Sequence, residues 1–428
     1  VVRLLPPRGD TLSVADATLA CLHLPHQEDS MGASDHTLTS IEICAGAGGQ
    51  AIGLHQAGFR HLALVEIDQY AAATLRRNID RRDGWEFERE YCDIIHKDVN
   101  HFEPLTDLER PVGYLGGPLK EEELDLLAGG VPCPPFSHAG KQLGKDDERD
   151  LFPRMLELVD ELKPKAVMIE NVRGIKDDKF QEYRDWVIAR LEGGLAKDPQ
   201  TGEKVEYEGS YTVCGWEVLE ASDFGVPQLR PRAILVAIRT DVLGDRKFEW
   251  PVAKPGAVTV RAALGESMKA RFKPFVDKGG VLGAKAEEAL KRWEDQRDGI
   301  APTLVGGSKK HGGADLGPSR AKAAWKLLGV NAMGVANSPD EVEEKKSWDR
   351  DLFRPEGPML TVTQAAVIQG FPEAWDFAGD KKTEKPVPGK TAQYRQVGNA
   401  FPPPVAHAVG ESIAKVLRDA RPAAQAGS

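Results

Sequence analysis

Residues 130–137 read GVPCPPFS, which sets Cys133 between Pro132 and the pair Pro134 and Pro135. Each proline fixes its own φ and pushes the residue before it toward extended backbone, so Cys133 has little conformational freedom on either side. A stiffly presented thiol can act as a nucleophile once it is deprotonated. Two further stretches carry matching groups. Glu170 and Asn171 stand in AVMIENV, and Arg230 and Arg232 alternate with Pro231 in PQLRPRAILV. A thiol, a carboxyl group and one or two cations are the parts of covalent catalysis, provided the fold brings them to one place.

A glycine-rich stretch, CAGAGGQAIG, runs from Cys44 to Gly53. Placed between a strand and its helix, it lets a ligand approach the backbone and face the helix N-terminus. Glu66 follows Gly46 by twenty residues, the distance at which a carboxylate accepts both ribose hydroxyls. The pattern Gly46-x-Gly48-x-x-Ala51 with Glu66 fits a nucleoside cofactor. It suits NAD as well as S-adenosylmethionine.

The elements that must position these groups alternate along the chain. SIEIC, HLALVEID, LDLLAGG and KAVMIENV read as strands. QAIGLHQAGF, QYAAATLRRNI, LFPRMLELVDELKP and KFQEYRDWVIARL read as helices, and YTVCGWEVLEA and RAILVAIR are two more strands. Such alternation predicts an α/β fold, a doubly wound and mostly parallel sheet covered by helices. Cys133 then follows one strand and Glu170 and Asn171 end another, at the carboxyl edge where such folds bind ligands. Past Arg239 the rhythm breaks. Residues 241–355 are rich in Gly, Lys and Pro and predict a second, smaller, loop-rich domain. Residues 36–240, completed by 356–419, form the catalytic part. Residues 1–35 and 420–428 read as a disordered leader and tail, with Met31 a possible natural start.

Composition bounds the function classes. The 428 residues exceed one small core and carry 41% hydrophobic and 29% charged residues, as expected of a soluble globular protein. No run reaches the roughly 20 apolar residues of a membrane span. The five cysteines are scattered without a C-x-x-C pair. This disfavours a zinc site or disulfide framework and suits a reducing cytoplasm. The net charge is −10, yet residues 241–330 carry about +6 and the remainder about −16. A locally basic segment can follow phosphates even in an acidic protein.

The cysteine, acid and arginine suit one reaction in particular. Cytosine C5 is a poor nucleophile. A thiolate added at C6 turns the ring into an enamine-like species able to attack a methyl group. That addition needs a proton or hydrogen bond at N3, which a glutamic acid supplies, and gains from a cation near O2.

The motifs that carry these residues resemble those of bacterial DNA (cytosine-5)-methyltransferases, in order, from about Ser40 to Gly410. EICAGAGG resembles the first motif, LVEID the second, and Asp98-Val99 the third. GGVPCPPFSHAGKQLG is similar to the nucleophile loop, and ERDLF leads into the next helix. ENV and QLRPR match the acid and arginine motifs, and LTVTQAAVIQGFP and YRQVGNAFPPPVA the last two. The resemblance implies a methyltransferase fold, S-adenosylmethionine as cofactor and double-stranded DNA as substrate. It implies a monomer in the cytoplasm at the nucleoid, with a restriction endonuclease as a possible companion. By the same resemblance Cys133, Glu170, Arg232, Asn171 and Arg230 are the catalytic group. Cys44, Ala45, Gly46, Gly48, Gly49, Glu66, Ile67, Asp98, Val99, Pro132, Leu151, Asn399 and Ala400 bind the cofactor. Ser137, Lys141, Gln142, Lys309, Lys310 and Arg320 touch DNA, and no metal is expected. Such an enzyme must flip its base out of the helix, and the proline cage would hold Cys133 toward C6.

The chain departs from the family pattern at four places. Pro134 replaces the usual glutamine after the nucleophile, Met359 the usual arginine before LT, and Cys44 an aromatic; residues 113–124 look inserted. Three rivals compete. An NAD-dependent oxidoreductase leaves Cys133, Glu170 and Arg232 without joint purpose. An RNA cytosine methyltransferase fits the basic segment less well, and a catalytically dead relative does not need the full set.

Overall fold

The computed structural model describes residues 37–132, 150–306, 314–379 and 387–420. The leader, most of the tail, Cys133, Ser137, Lys141, Gln142, Lys309 and Lys310 lie outside the described residues. Five strands open the fold: β1 (Leu38–Ile43), β2 (Phe59–Glu66), β3 (Asp93–His96), β4 (Leu126–Gly129) and β5 (Ala166–Val172). A hairpin, β6 (Gly193–Lys197) and β7 (Lys204–Glu208), precedes β8 (Tyr211–Glu220) and β9 (Pro231–Arg239). The main sheet has seven strands in the order β3-β2-β1-β4-β5-β9-β8. Strands β1 to β5 pair in parallel, and β9 lies antiparallel between β5 and β8. Every residue of β1 and of β4 is buried, because helices cover both faces of the sheet. The sheet runs outward in both directions from the β1–β4 pair, so a crevice opens at their carboxyl ends.

The expected strands and helices are present, but the second domain differs from its expectation. Val260–Lys278 and Gly280–Glu294 are helices of 19 and 15 residues, followed by Ser319–Leu327. Two of the segment's glycines sit where one helix ends and the next begins. Gly279 and Gly280 adopt φ of 63° and 64° between the two long helices. The lobe is therefore largely helical.

Residues 241–254 stay on the sheet: Phe248 and Trp250 pack against it, and the Trp250 indole donates to the Cys214 carbonyl. Ala301 touches the chain that leads into β9: its N–H donates to Pro227 O, and Leu229 N–H donates to Ala301 O. The lobe's core of Phe272, Trp293, Trp325 and Phe353 runs on without a break to Ala47 and Ala51 beneath the glycine loop. Apolar burial, which composition does not reveal, joins the lobe to the catalytic part.

The β6–β7 hairpin escaped the sequence reading. Its turn is nucleated by Asp198, whose carboxylate accepts from Gln200 and Thr201 N–H, a local side-chain turn of the kind Asp favours. The insertion 113–124 packs away from the crevice. Leu119 and Leu124 are buried, Glu122 N–H donates to Leu162 O, and Glu121 pairs with Lys163 at 2.7 Å. These contacts brace the amino ends of β4 and β5.

Candidate active site

The glycine loop departs from β1 with unusual backbone. Cys44, Gly46 and Gly48 have φ of 53°, 57° and 94°. A Cβ on Gly48 would lie 2.9 Å from both Leu75 and Trp375 side chains, so a larger residue would be excluded by contact as well as by φ. The Trp375 indole N–H donates to Ala47 O at 3.0 Å and supports the loop from below. A Cβ on Gly49 would meet Phe401 O at 2.2 Å. The helix Gly49–Gln56 thus presses directly on the chain after Lys390–Asn399.

Glu66 closes the loop. Its Oε2 accepts from Gly46 N–H and its Oε1 from Asp68 N–H, each at 2.7 Å. Burial raises its pKa, and these backbone donors oppose the rise. The carboxylate thus fixes the loop as well as facing the crevice.

A cavity of about 210 Å³ lies over the loop. Seven of the expected cofactor residues line it: Cys44, Ala45, Gly46, Gly49, Glu66, Asn399 and Ala400. Glu170 lines the same cavity, so the acid and the nucleoside pattern meet in one space. Six expected residues do not line it. Gly48 faces the core, and Ile67 stands exposed at the end of β2. Asp98 caps the turn Val99–His101 by accepting from Asn100 N–H, and Val99 is buried. Leu151 N–H donates to Pro132 O at 3.3 Å, which brings together the two ends of the stretch that contains Cys133.

Sequence reasoning missed Glu42, Gln50, Asp68, Arg395 and Gln396, which also line the cavity. Glu42 was legible only as the polar residue inside an apolar strand. The other four stand inside motifs already quoted, CAGAGGQAIG, LVEID and YRQVGNAFPPPVA, but were not singled out there.

The acid and arginine motifs meet across β5 and β9. Arg232 Nε lies 2.8 Å from Glu170 Oε1, with both side chains about one-eighth exposed, at 12% and 13%. Burial pushes the Glu170 pKa up, while the Arg232 and Arg230 cations pull it down; the net direction is upward. A glutamic acid so placed can keep a proton for donation.

The two remaining members of the expected catalytic group take other positions. Arg230 is 1% exposed, and its guanidinium donates to Leu304 O at 2.7 Å, Gly398 O at 2.8 Å and Ala400 O at 3.0 Å. It ties β9 to the cavity wall and does not open onto the cavity. Asn171 donates to Val131 O at 2.7 Å and accepts from Val172 N–H. It anchors the chain two residues before Cys133. Asn171 and two nitrogens of Arg230 thus bond to backbone, which spacing could not disclose, while Arg230 Nε has no partner among the described residues.

Arg320 is exposed on the helix Ser319–Leu327 of the lobe. Among the other cysteines, burial and the acids Glu66 and Glu42 push the Cys44 thiol far above its usual range. Cys92 is buried and Cys214 half-buried, both as free thiols.

Comparison with known proteins gives one answer. The family model described as C-5 cytosine-specific DNA methylase matches residues 38–415. The chain is 45% identical to the type II methyltransferase M.NaeI of Lentzea aerocolonigenes, over 89% of this chain and 76% of that one. It is 40% identical to M.NgoMIV of Neisseria gonorrhoeae, over 89% of this chain and 98% of that one. Among solved structures, a prophage-encoded DNA modification methyltransferase from E. coli matches with a TM-score of 0.53 at 20% identity. It covers 89% of this chain and 100% of its own. At that identity the likeness speaks to fold alone.

Proposed function

The chain belongs to the C-5 cytosine-specific DNA methylase family, and on that premise we propose that it methylates C5 of a flipped cytosine in duplex DNA through a covalent bond from Cys133 to C6. The observation that carries this reading is the Glu170–Arg232 pair on the wall of the cavity that also holds Glu66. The residues present fit S-adenosylmethionine. The loop over residues 44–49 admits a ligand to the backbone, Glu66 offers acceptors for ribose hydroxyls, and Asn399 and Ala400 close the wall. When bound, the cofactor supplies an electrophilic methyl group on a sulfonium.

The chain's own residues do the rest. Cys133 as thiolate adds at C6, and protonated Glu170 donates a hydrogen bond at N3 as charge gathers there. Arg232 holds the Glu170 carboxyl and offers a cation near O2. Asn171 restrains the backbone that leads to Cys133, and Arg230 keeps β9 in register with the cavity wall. After methyl transfer, loss of the C5 proton and of the thiolate restores the aromatic ring. The helical lobe, with Arg320, Lys309 and Lys310, would read the target sequence, phosphate contacts positioning and base contacts specifying. The named relatives, called type II methyltransferases, favour a place in a restriction–modification system.

DNA carrying 5-fluorocytosine at the target tests the chemistry, since fluorine does not leave as a proton does. The wild type should form a trapped protein–DNA adduct and Cys133→Ser should not. An active wild type that leaves no adduct would refute the covalent route. Bisulfite sequencing of DNA from an expressing host identifies the target. Exchange of residues 255–355 for those of a relative with another target should move methylation to the new site.

A further inference from the structure

The helix Val362–Gln369 belongs to the catalytic part, and the lobe grips its amino end. Thr361 and Gln364 cap that end reciprocally: Gln364 N–H donates to Thr361 Oγ1, and Thr361 N–H donates to Gln364 Oε1. Two residues of the lobe helix Val260–Lys278 hold the same glutamine. Arg271 Nη1 donates to Gln364 Oε1 at 2.7 Å and to Met359 O at 2.8 Å. Gln364 Nε2 donates to Ser267 Oγ at 3.1 Å. At the other end of the helix, Gln228 Nε2 donates to Ile368 O at 3.2 Å and to Gln369 Oε1 at 2.8 Å, and Gln369 Nε2 donates to Ala400 O. Gln228 lies two residues before Arg230, and Ala400 lines the cofactor cavity. The helix is thus a strut between the lobe and the site.

Stability alone does not account for Arg271. It is 6% exposed, and its Nη2 has no partner among the described residues. A buried charge adds little stability over an apolar side chain of its size, and a partly satisfied one adds less; its best use is to fix one arrangement. The position it reaches is also telling. Met359 stands where the family pattern has an arginine before LT, and it is the Met359 carbonyl that Arg271 meets.

We infer that Arg271 is a positioning residue: it brings from the lobe the guanidinium that position 359 lacks, and through Gln364 it sets the lobe over the active site. This rests on the reading above of the lobe as the part that selects the target.

Methylation kinetics on the target duplex and on duplexes with one base pair changed, beside cofactor titration and thermal melts, test the inference. Arg271→Met keeps the length of the side chain and removes its charge. It should raise the KM for target DNA by roughly 10- to 100-fold, the scale of lost hydrogen bonds from a charged group, and narrow the preference for target over changed duplexes. Cofactor affinity should stay constant. Arg271→Lys, which keeps a cationic donor, should recover part of the preference, and so should Met359→Arg added to Arg271→Met. If Arg271→Met melts early, Ser267→Ala, which removes one acceptor from Gln364, should still narrow the preference by a smaller factor. Loss of rate in equal proportion on target and changed duplexes would reduce Arg271 to packing and overturn the inference. No recovery from Met359→Arg would refute the exchange of one guanidinium for the other. An active enzyme whose exchanged residues 255–355 leave methylation at the original site would instead remove the lobe reading beneath it.

Discussion

Arg232 and Glu170 meet diagonally across antiparallel strands, Nε to Oε1 at 2.8 Å, with Arg232 paired to Val172 and Glu170 to Ile234. The ion pair holds a carboxyl whose pKa burial drives up and the guanidinium drives down. The acid is thereby aimed, and its proton affinity depends on its partner.

The pair predicts a pH effect with a defined sign. If protonated Glu170 assists the addition, turnover falls as pH rises through its raised folded pKa. Arg232→Gln removes the stronger of the two cations that lower it, so the alkaline limb should move to higher pH even as the rate drops. Glu170→Gln should lose that limb and cost roughly 10²- to 10⁴-fold in kcat, the range of general acid–base catalysis. Single-turnover rates across pH measure both. An unshifted limb in Arg232→Gln would mean that another group titrates.

Glu66 should separate support of the loop from contact with the cofactor. Glu66→Ala removes the acceptor of Gly46 and Asp68 N–H, so both melting temperature and cofactor affinity should fall. Glu66→Gln keeps one carbonyl acceptor and should lose less of each. The affinity loss for alanine should be about 1.5–3 kcal/mol, as for hydrogen bonds to a charged group. Calorimetry beside thermal melts checks both arms.

Arg230 should act through stability. Arg230→Met leaves the carbonyls of Leu304, Gly398 and Ala400 without their donor. The expected loss is about 3 kcal/mol or more, given roughly 1–3 kcal/mol for each buried group left unpaired. Denaturant unfolding reads this directly. Near-wild-type stability with abolished turnover would instead restore Arg230 to direct chemistry.

His61 predicts an acid-labile anchor behind the glycine loop. Its Nε2 lies 2.9 Å from Ala51 O, which can only accept, so Nε2 carries the proton and Nδ1 accepts from Ser40 Oγ at 2.9 Å. Burial lowers its pKa from 6.5 to about 4, and Glu88 opposes this. The folded state therefore holds it neutral. Its stabilisation is complete above pH 6.5 and is lost as pH falls toward 4, by roughly 3 kcal/mol in all. His61→Gln should be less stable at neutral pH and show a shallower decline over that window in urea titrations at successive pH values. Parallel curves would exclude His61 as a source of the decline.

What the sequence determined by itself is local in kind. Alternating apolar strands and helices named the doubly wound sheet, because period and strand length are written residue by residue. The glycine loop, Glu66 and Glu170 were legible because they follow strands directly, and strand ends in this fold lie along one rim. Tertiary structure decided the rest. Arg230 and Arg232 flank Pro231, yet Arg232 reaches Glu170 while Arg230, just before β9, meets the carbonyls of Leu304, Gly398 and Ala400, which only the packing of distant segments brings to it. The basic segment after Arg239 read as loop, because its glycines and prolines cannot be told from helix ends until long-range burial of Phe272, Trp293 and Trp325 fixes the helices. Gln50, Arg395 and Gln396 stand inside quoted motifs, but nothing in the chain marked them as neighbours. They became a group only when Gly49 let two helices close to contact around one cavity.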